Sequence, residues 1–588
     1  MFLSRQYLRN KSRNSVSIIK YYTSIRLNST ENNIDSSSSY RFYPGKLPII
    51  DITVGKLFEK ACKEFKNREC VVSVHQNNIR LTYNQVLERA DKLAAGLKKL
   101  NLKYGDRVGV WGPNDYQWLL AFIAISRAGC IMVGINPAYQ QNELNYCLNK
   151  VQVNTVIAPD KFRTQDYGKM LIDAKNTCPS LKNIILWTDN SIKGTYRFSD
   201  IESLATNVEI EGIKATQNEI SPYDGCNIQF TSGTTGYPKA PLLSHRSFVN
   251  NGRQIVERAG LINNNIHHKV CLNVPFFHAF GMIHGCMAGF YAGMTFVLES
   301  PIFNPKNSIE TIVNEKCTVA YGTPTMWVNM LDMQEKLQAR ISSLHLTTTG
   351  GAIVSPELMK KIRNTFKVDK PTIIYGLTEN TAVVFHTVPE DPHELTDYTV
   401  GRLHDHIEAK VVDENGQTIP IGTPGELWTR GYSTMIGYWN DPENTSKTID
   451  EAGWLKSGDK FILHANGYGE VVGRLKDIII RGGENIFPKE IEGFLESHND
   501  IIEAQVFGVH DDVYGEEICA CIRLKNNKKK ITLNDIKLYA KGKISHFKIP
   551  RYIHFVEEFP KTTSGKIQKF KLKQLMEING IIPPSKGK

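Results

Sequence analysis

At 588 residues the chain is too long for one hydrophobic core, and 41% hydrophobic residues with 44 glycines excludes disorder for most of it and suits a multidomain α/β enzyme. The net charge of +11 does not signal nucleic acid: six basic residues and no acid fall within residues 1–30, leaving +5 elsewhere, and no nucleic-acid motif accompanies them. Eleven cysteines show no C-x-x-C spacing, and Cys519 and Cys521 would share one strand face, so reduced thiols are expected, with neither disulfide nor zinc.

In chain order, Arg5, Arg9, Lys11, Arg13, Lys20 and Arg26 lie among Ser, Leu, Ile and Tyr, the composition of a mitochondrial presequence. Residues 1–40 are therefore expected to be presequence and linker. From residue 73 to 155 strand and helix patterns alternate, as in a parallel sheet: a strand at 81–83, a helix through Leu87, Ala90, Leu93, Ala94 and Leu97, and a strand at 107–111. The alternation resumes at 226–230 and continues through 318–321, 344–348, 356–366 and 372–375. Residues 270–298 contain no Lys, Arg, Asp or Glu and could cross a bilayer by length, but Asn273, Pro275, His278, His284 and four glycines divide them into strand, loop, small-residue helix and strand. No transmembrane segment is expected. After about residue 400 short strands and turns take over, with a hairpin turn at Asn466-Gly467. The fold class is thus α/β: a large N-terminal domain (41–475) of doubly wound parallel sheets with a β-rich subdomain, then a small, mobile α+β C-terminal domain (476–588).

The stretch with the plainest chemistry is Thr231, Ser232, Gly233, Thr234, Thr235, Gly236, Tyr237, Pro238 and Lys239. Glycines let successive N–H groups converge on one anion, hydroxyls add donors, and Lys239 supplies a point charge, so the loop is built to hold phosphate. It is not a Walker A loop, because Pro238 stands where that motif needs glycine and Ala240 follows the lysine.

Five further clusters follow in order: Gly350-Gly351-Ala352; Tyr375-Gly376-Leu377-Thr378-Glu379; Ser457-Gly458-Asp459; Gly473-Arg474-Leu475-Lys476-Asp477; and Thr563-Ser564-Gly565-Lys566. Together with the phosphate loop they resemble the adenylate-forming superfamily of acyl-CoA synthetases, peptide-synthetase adenylation domains and luciferases, over roughly residues 47–577 by motif order. The resemblance implies ATP, CoA and Mg²⁺ as cosubstrates and cofactor. It implies that Asp459 and Arg474 hold the ribose, that Gly350 to Ala352, Tyr375 and Gly376 pass close to adenine and the acyl group, and that Thr378 lies by the α-phosphate. Glu379 would supply a hard oxygen for Mg²⁺. Lys566 would be the cation placed between carboxylate and α-phosphate, an electrostatic role that lowers the cost of bringing like charges together.

The superfamily also swings its small domain about a residue two places after the arginine of G-R-x-[KD], here Lys476. The face so presented would be Arg481-Gly482-Gly483-Glu484-Asn485, whose glycines admit the pantetheine arm. His278 matches the position bordering the acyl and thiol channels. Within the superfamily the chain resembles the mitochondrial medium-chain fatty acid–CoA ligase subgroup, with two departures: Ala240-Pro241 after the lysine, and Ser457 in place of Thr. A short-chain or aryl acid as substrate, carrier-protein loading, a bioluminescent oxidase and a non-catalytic acyl- or nucleotide-binding scaffold remain as alternatives. The expected partners are the fatty acid, ATP and CoA, with no nucleic acid; the oligomeric state is not legible.

Overall fold

The structure is a computed structural model that describes residues 37–231, 238–262, 266–368, 371–481, 484–511, 514–525, 531–540, 544, 548–562 and 565–583. Residues 1–36 of the expected presequence and linker, Ser232 to Tyr237 of the phosphate loop, Gly482, Gly483 and Thr563-Ser564 lie outside the described residues, as do the side chains of Lys476, Glu484 and Asn485.

Two large sheets face each other across the main hydrophobic core. One has eight strands, in the order Tyr196–Arg197, Asn183–Leu186, Thr155–Ala158, Arg107–Trp111, Ile131–Ile135, Gly225–Gln229, Pro241–Ser244 and Gly437–Tyr438. The first six run parallel and the last two antiparallel. The other has nine strands, with a parallel centre of Thr372–Tyr375, Leu346–Gly350, Val319–Gly322, Lys269–Cys271, Thr295–Leu298 and Glu69–Ser73. Its antiparallel edges are Phe385–His386 and Arg402–Leu403 on one side and Ile79–Thr82 on the other. Strands such as Ile131–Ile135 are buried at every residue, as parallel strands covered on both faces must be.

Helices start where side chains can satisfy their first N–H groups. Thr82 and Gln85 form a capping box at the head of Tyr83–Lys99, with hydrogen bonds of 3.3 and 2.8 Å, and Ser244 caps His245–Arg258 at 3.1 Å. The uncharged stretch 270–298 divides as expected, into Lys269–Cys271, a helix and Thr295–Leu298. The helix, however, is wound as a π-helix over Phe280–Met287 before Ala288–Ala292 resumes the α form. No helix of the described residues is long and apolar enough to cross a membrane.

The β-rich subdomain is a five-stranded sheet ordered Tyr40–Phe42, Ile407–Val412, Gly425–Gly431, Leu455–Leu463 and Gly469–Arg474. Its first strand departs from the expected limit of the leader at residue 40. Ser39 is fully buried and its hydroxyl donates to Pro420 O at 2.9 Å, while the Tyr40 hydroxyl donates to Glu408 at 2.8 Å, so the folded body already includes residues before Tyr40. The small domain packs Pro488–Glu496 on a sheet of Glu484–Ile486, Ile479–Arg481, Gly515–Leu524 and Ile501–Asp511, with Tyr552–Phe555 added in parallel. All eleven cysteines are buried and unpaired.

The parallel strands of the nine-stranded sheet end where the motif glycines stand, and packing explains those glycines. A Cβ on Gly350 would lie 2.8 Å from the Ile374 carbonyl oxygen, and one on Gly376 2.0 Å from that of Ala382. Gly376→Ala therefore forces backbone apart, an overpacking that costs about 1–3 kcal/mol, and lowers the urea midpoint of unfolding. Gly212→Ala, on a helix with open space around it, leaves the midpoint unchanged or slightly raised.

Candidate active site

The phosphate loop is anchored at its two ends. Thr231 and Lys239 exchange backbone hydrogen bonds of 2.9 and 3.1 Å, an antiparallel bridge that closes the loop's base. Ala240 is fully buried and accepts from Trp439 N at 2.8 Å, while Pro241 opens the strand Pro241–Ser244 opposite Tyr438. Proline is tolerated at the first residue of a strand, so the Ala240-Pro241 departure fixes the exit of the loop rather than breaking the sheet. Tyr146 adds a hydrogen bond to Pro238 O at 3.0 Å.

Tyr438 joins this loop to the acidic motif. Its ring lies under the Lys239 ammonium, 4.9 Å from nitrogen to centroid, and its hydroxyl donates to Glu379 Oε1 at 2.9 Å. The Thr231 hydroxyl reaches the same carboxylate oxygen at 3.5 Å. Burial, then the Glu379 charge, pushes the Tyr438 phenol well above its usual range, so it stays a hydrogen-bond donor at any working pH. Thr378 and Glu379 sit in the 3₁₀ turn Thr378–Asn380, held down by Met435 N donating to Glu379 O at 2.8 Å.

A second pair forms where the β-rich subdomain meets the sheet. Asp459 and Arg474 face each other across adjacent strands, Oδ1 to Nε 3.3 Å. The Tyr375 hydroxyl donates to the other carboxylate oxygen at 2.8 Å. Asp459 is almost fully buried while half of Arg474 remains exposed, and burial raises the carboxyl against the opposing pull of Arg474. One carboxylate thus offers acceptor positions to a pair of neighbouring hydroxyls.

Between the large and small domains lies a cleft of about 1020 Å³, with Thr323, Gly351, Ala352, Gly473, Arg474 and Lys566 on its walls. Lys566 comes from the small domain, yet its Cε lies 3.6 Å from where a Cβ on Gly351 would stand. Gly351 has φ +80°, a left-handed conformation that favours glycine; a Cβ there would make only ordinary van der Waals contact with the lysine, so backbone conformation rather than lack of space calls for glycine. Burial and the Arg474 cation lower the Lys566 ammonium to about 8, opposed by Asp459 and Glu379. Those causes place the lysine in the field of both acidic motifs at once. Thr325 donates to Glu503 at 3.5 Å and Arg523 lies 3.8 Å from Asp332, so the domains also touch beside the cleft.

His278, half-buried, accepts the Phe280 N–H at Nδ1 over 3.2 Å, which leaves the ring proton on Nε2. Burial, with Lys566 nearby, lowers it to about 3, so it acts as a neutral donor. Lys476 falls in the 3₁₀ turn Leu475–Asp477 that joins the domains, and Arg481 pairs with Glu484 across the hairpin expected to face CoA.

Residues 58–439 match the AMP-binding enzyme family, and residues 490–566 its C-terminal domain. The chain belongs to the AMP-binding enzyme family. It is 41% identical over 547 residues to the Mus musculus protein called medium-chain acyl-CoA ligase ACSF2, mitochondrial, covering 90% of this chain and 88% of that one. It is 36% identical over 542 residues to the putative acyl-CoA synthetase YngI of Bacillus subtilis, covering 90% and 97%. The crystal structure of the anthranilate CoA ligase AuaEII in complex with anthranoyl-AMP superposes with a TM-score of 0.79 at 25% identity, over 91% of this chain and 99% of that one.

For this AMP-binding enzyme, the structure sets Gly351, Arg474 and Lys566 on the walls of the cleft, with Asp459 and Tyr375 joined to Arg474 and Glu379 linked to Lys239 through Tyr438. Tyr438 was missed by sequence reasoning: it belongs to no motif, and only strand pairing sets it beside Pro241. Lys566 carries its charge below about pH 8 and loses it above. The kcat/KM of adenylation should therefore fall as pH rises through that value. Lys566→Arg, whose guanidinium stays charged, should move this alkaline limb upward; a limb that stays in place in the arginine variant assigns it to another group.

Proposed function

We propose that this protein is an AMP-forming acid–thiol ligase that activates a medium-chain fatty acid with ATP and transfers the acyl group to CoA. The observation that carries this reading is the arrival of Lys566, on the small domain, against Gly351 and in the fields of Asp459 and Glu379.

In the first half-reaction the fatty carboxylate attacks the α-phosphorus of ATP, the bond to the bridging oxygen breaks, and pyrophosphate leaves. Lys239 and the loop it closes hold the departing phosphates. Asp459, steadied by Tyr375 and Arg474, accepts from the ribose hydroxyls. Lys566 lies between the carboxylate and phosphate oxygens, where a fixed cation offsets their repulsion. Glu379 fits a hard divalent cation: its carboxylate stands at the mouth of the phosphate loop with donors from Tyr438 and Thr231 on one oxygen. Mg²⁺ bound there would neutralise phosphate charge.

In the second half-reaction the CoA sulfur attacks the acyl carbon, the thiol proton is lost, and AMP leaves. Rotation about Lys476 withdraws Lys566 and presents the Arg481 to Asn485 hairpin, while the neutral His278 borders the path to the acyl carbon. The acid-free basic composition of residues 1–30 and the names of the relatives support a mitochondrial matrix location.

Lys566→Ala should reduce ATP–pyrophosphate exchange with octanoate by about a hundredfold or more and largely spare thioester formation from supplied octanoyl-AMP. Equal loss in both half-reactions removes the role given to Lys566. Lys476→Pro should show the opposite split, with exchange retained and thioester formation lost; an intact second step removes the pivot. A kcat/KM series from acetate to palmitate, with benzoate included, tests the acid: a maximum outside the medium-chain range refutes that part of the reading.

A further inference from the structure

Behind the cleft lies a group of side chains that the ligase reading does not use. His284, on the π-helix Phe280–Met287, His386 on the strand Phe385–His386, and His404 are all fully buried, and neither ring nitrogen of any of them has a hydrogen-bond partner. The buried hydroxyl of Tyr321, on the strand Val319–Gly322, also lacks one. Their rings form a connected row: His284 to Tyr321 4.6 Å, His284 to His386 6.0 Å and His386 to His404 5.9 Å between centroids. The Arg258 guanidinium, which donates to Leu403 O at 2.6 Å, acts on His386 and His404 through its charge but bonds to neither ring.

Burial holds all three imidazoles neutral, His284 at about 3 and the other two well below the ordinary histidine range. A neutral imidazole has one N–H donor and one acceptor nitrogen. An unmatched buried polar group costs about 1–3 kcal/mol, so seven such atoms in one row demand a guest that can both donate and accept. Among the described residues no three His, Cys, Asp or Glu side chains converge as metal ligands, which leaves an oxygen-bearing organic group or water.

The register of the nine-stranded sheet places this row relative to the reacting end. Gly350 lies opposite Ile374, and Ile374 opposite His386, so His386 stands in the same cross-strand row as the motif glycine, two strand spacings or about 10 Å away. Tyr321 precedes Gly322 on the next strand over. The π-helix connects the two ends: Phe280 donates its N–H to His278, and its ring lies 5.3 Å from His284 and 6.0 Å from Tyr321. The register therefore sets His386 within the length of a medium acyl chain from the glycine motif beside Lys566.

We propose that His284, Tyr321 and His386 form the far wall of the acyl site and select acids that carry a hydroxyl or carbonyl oxygen near the distal end of a medium-length chain. This rests on the acid–thiol ligase reading. An oxygen there accepts from an imidazole N–H or the phenol, and a hydroxyl also donates to a bare ring nitrogen. A plain alkyl end leaves all of these unmatched. Sites built to hydrogen-bond a substrate group discriminate strongly against analogues that lack it.

The test measures kcat/KM by ATP–pyrophosphate exchange for octanoate, 8-hydroxyoctanoate and 7-oxooctanoate in the full chain and in His284→Leu, His386→Leu and His386→Gln. At least one polar acid should exceed octanoate about tenfold or more, the discrimination expected from one matched buried hydrogen bond. Each leucine variant should bring that ratio to one or below while keeping or raising the urea midpoint of unfolding, because an apolar replacement removes unmatched groups and preserves the fold. His386→Gln, which still donates and accepts, should keep the ratio above one. Octanoate equalling or exceeding both polar acids, or a ratio that survives both leucine variants, overturns the proposal and leaves the ligase reading standing. Exchange with no carboxylic acid at all overturns the ligase reading itself.

Discussion

Lys566 packs against the large domain at Gly351: its Cε lies at ordinary contact distance, 3.6 Å, from where a Cβ would be, at a residue whose φ of +80° favours glycine. The proposed adenylation chemistry depends on that contact. A carboxylate and a triphosphate repel each other, and a cation fixed between them lowers the barrier most when it is already in place and partly shielded from water. Shielding has a cost, visible as the lowering of the lysine to about 8. Asp459 and Glu379 offset it, so the acidic motifs help to keep the lysine charged.

Everything else in the cleft follows from where strands end. The parallel strands of the nine-stranded sheet deliver Gly350 and Tyr375 to one edge, and the neighbouring sheet delivers Thr231 and Lys239. The β-rich subdomain brings Asp459 opposite Arg474, and Tyr375 ties that pair to the sheet. Tyr438 plays the same part on the other side, one ring serving Lys239 by its face and Glu379 by its hydroxyl. Because each of these groups is held by backbone pairing, little reorganisation is needed when substrates bind.

The small domain is held more lightly. Its contacts beside the cleft include a 3.5 Å hydrogen bond from Thr325 to Glu503 and a 3.8 Å ion pair between Arg523 and Asp332. Partly exposed ion pairs contribute little stability, typically under about 1 kcal/mol. Under the proposed two-step reaction, in which Lys566 is delivered and then withdrawn, such contacts position the domain without locking it. The proposed pivot, Lys476, falls in a short 3₁₀ turn.

The sequence alone determined the α/β class, the change to short strands after residue 400, the phosphate loop and the order of the motifs. These are local properties: hydrophobic period, glycine and hydroxyl content, and the spacing of a few charged residues, all contained within short segments. It also singled out His278 and Lys566 as candidates, although it did not show that the lysine's charge acts on the imidazole. The tertiary structure decided the rest. The π-winding of Phe280–Met287 and the inclusion of Ser39 in the folded body depend on packing that no local pattern records. Tyr438 meets Lys239 and Glu379, Lys566 meets Gly351, and His386 falls in the row of Gly350, through strand register and domain docking between distant segments. Register is a property of two segments together, and that is why neither segment's own sequence discloses it.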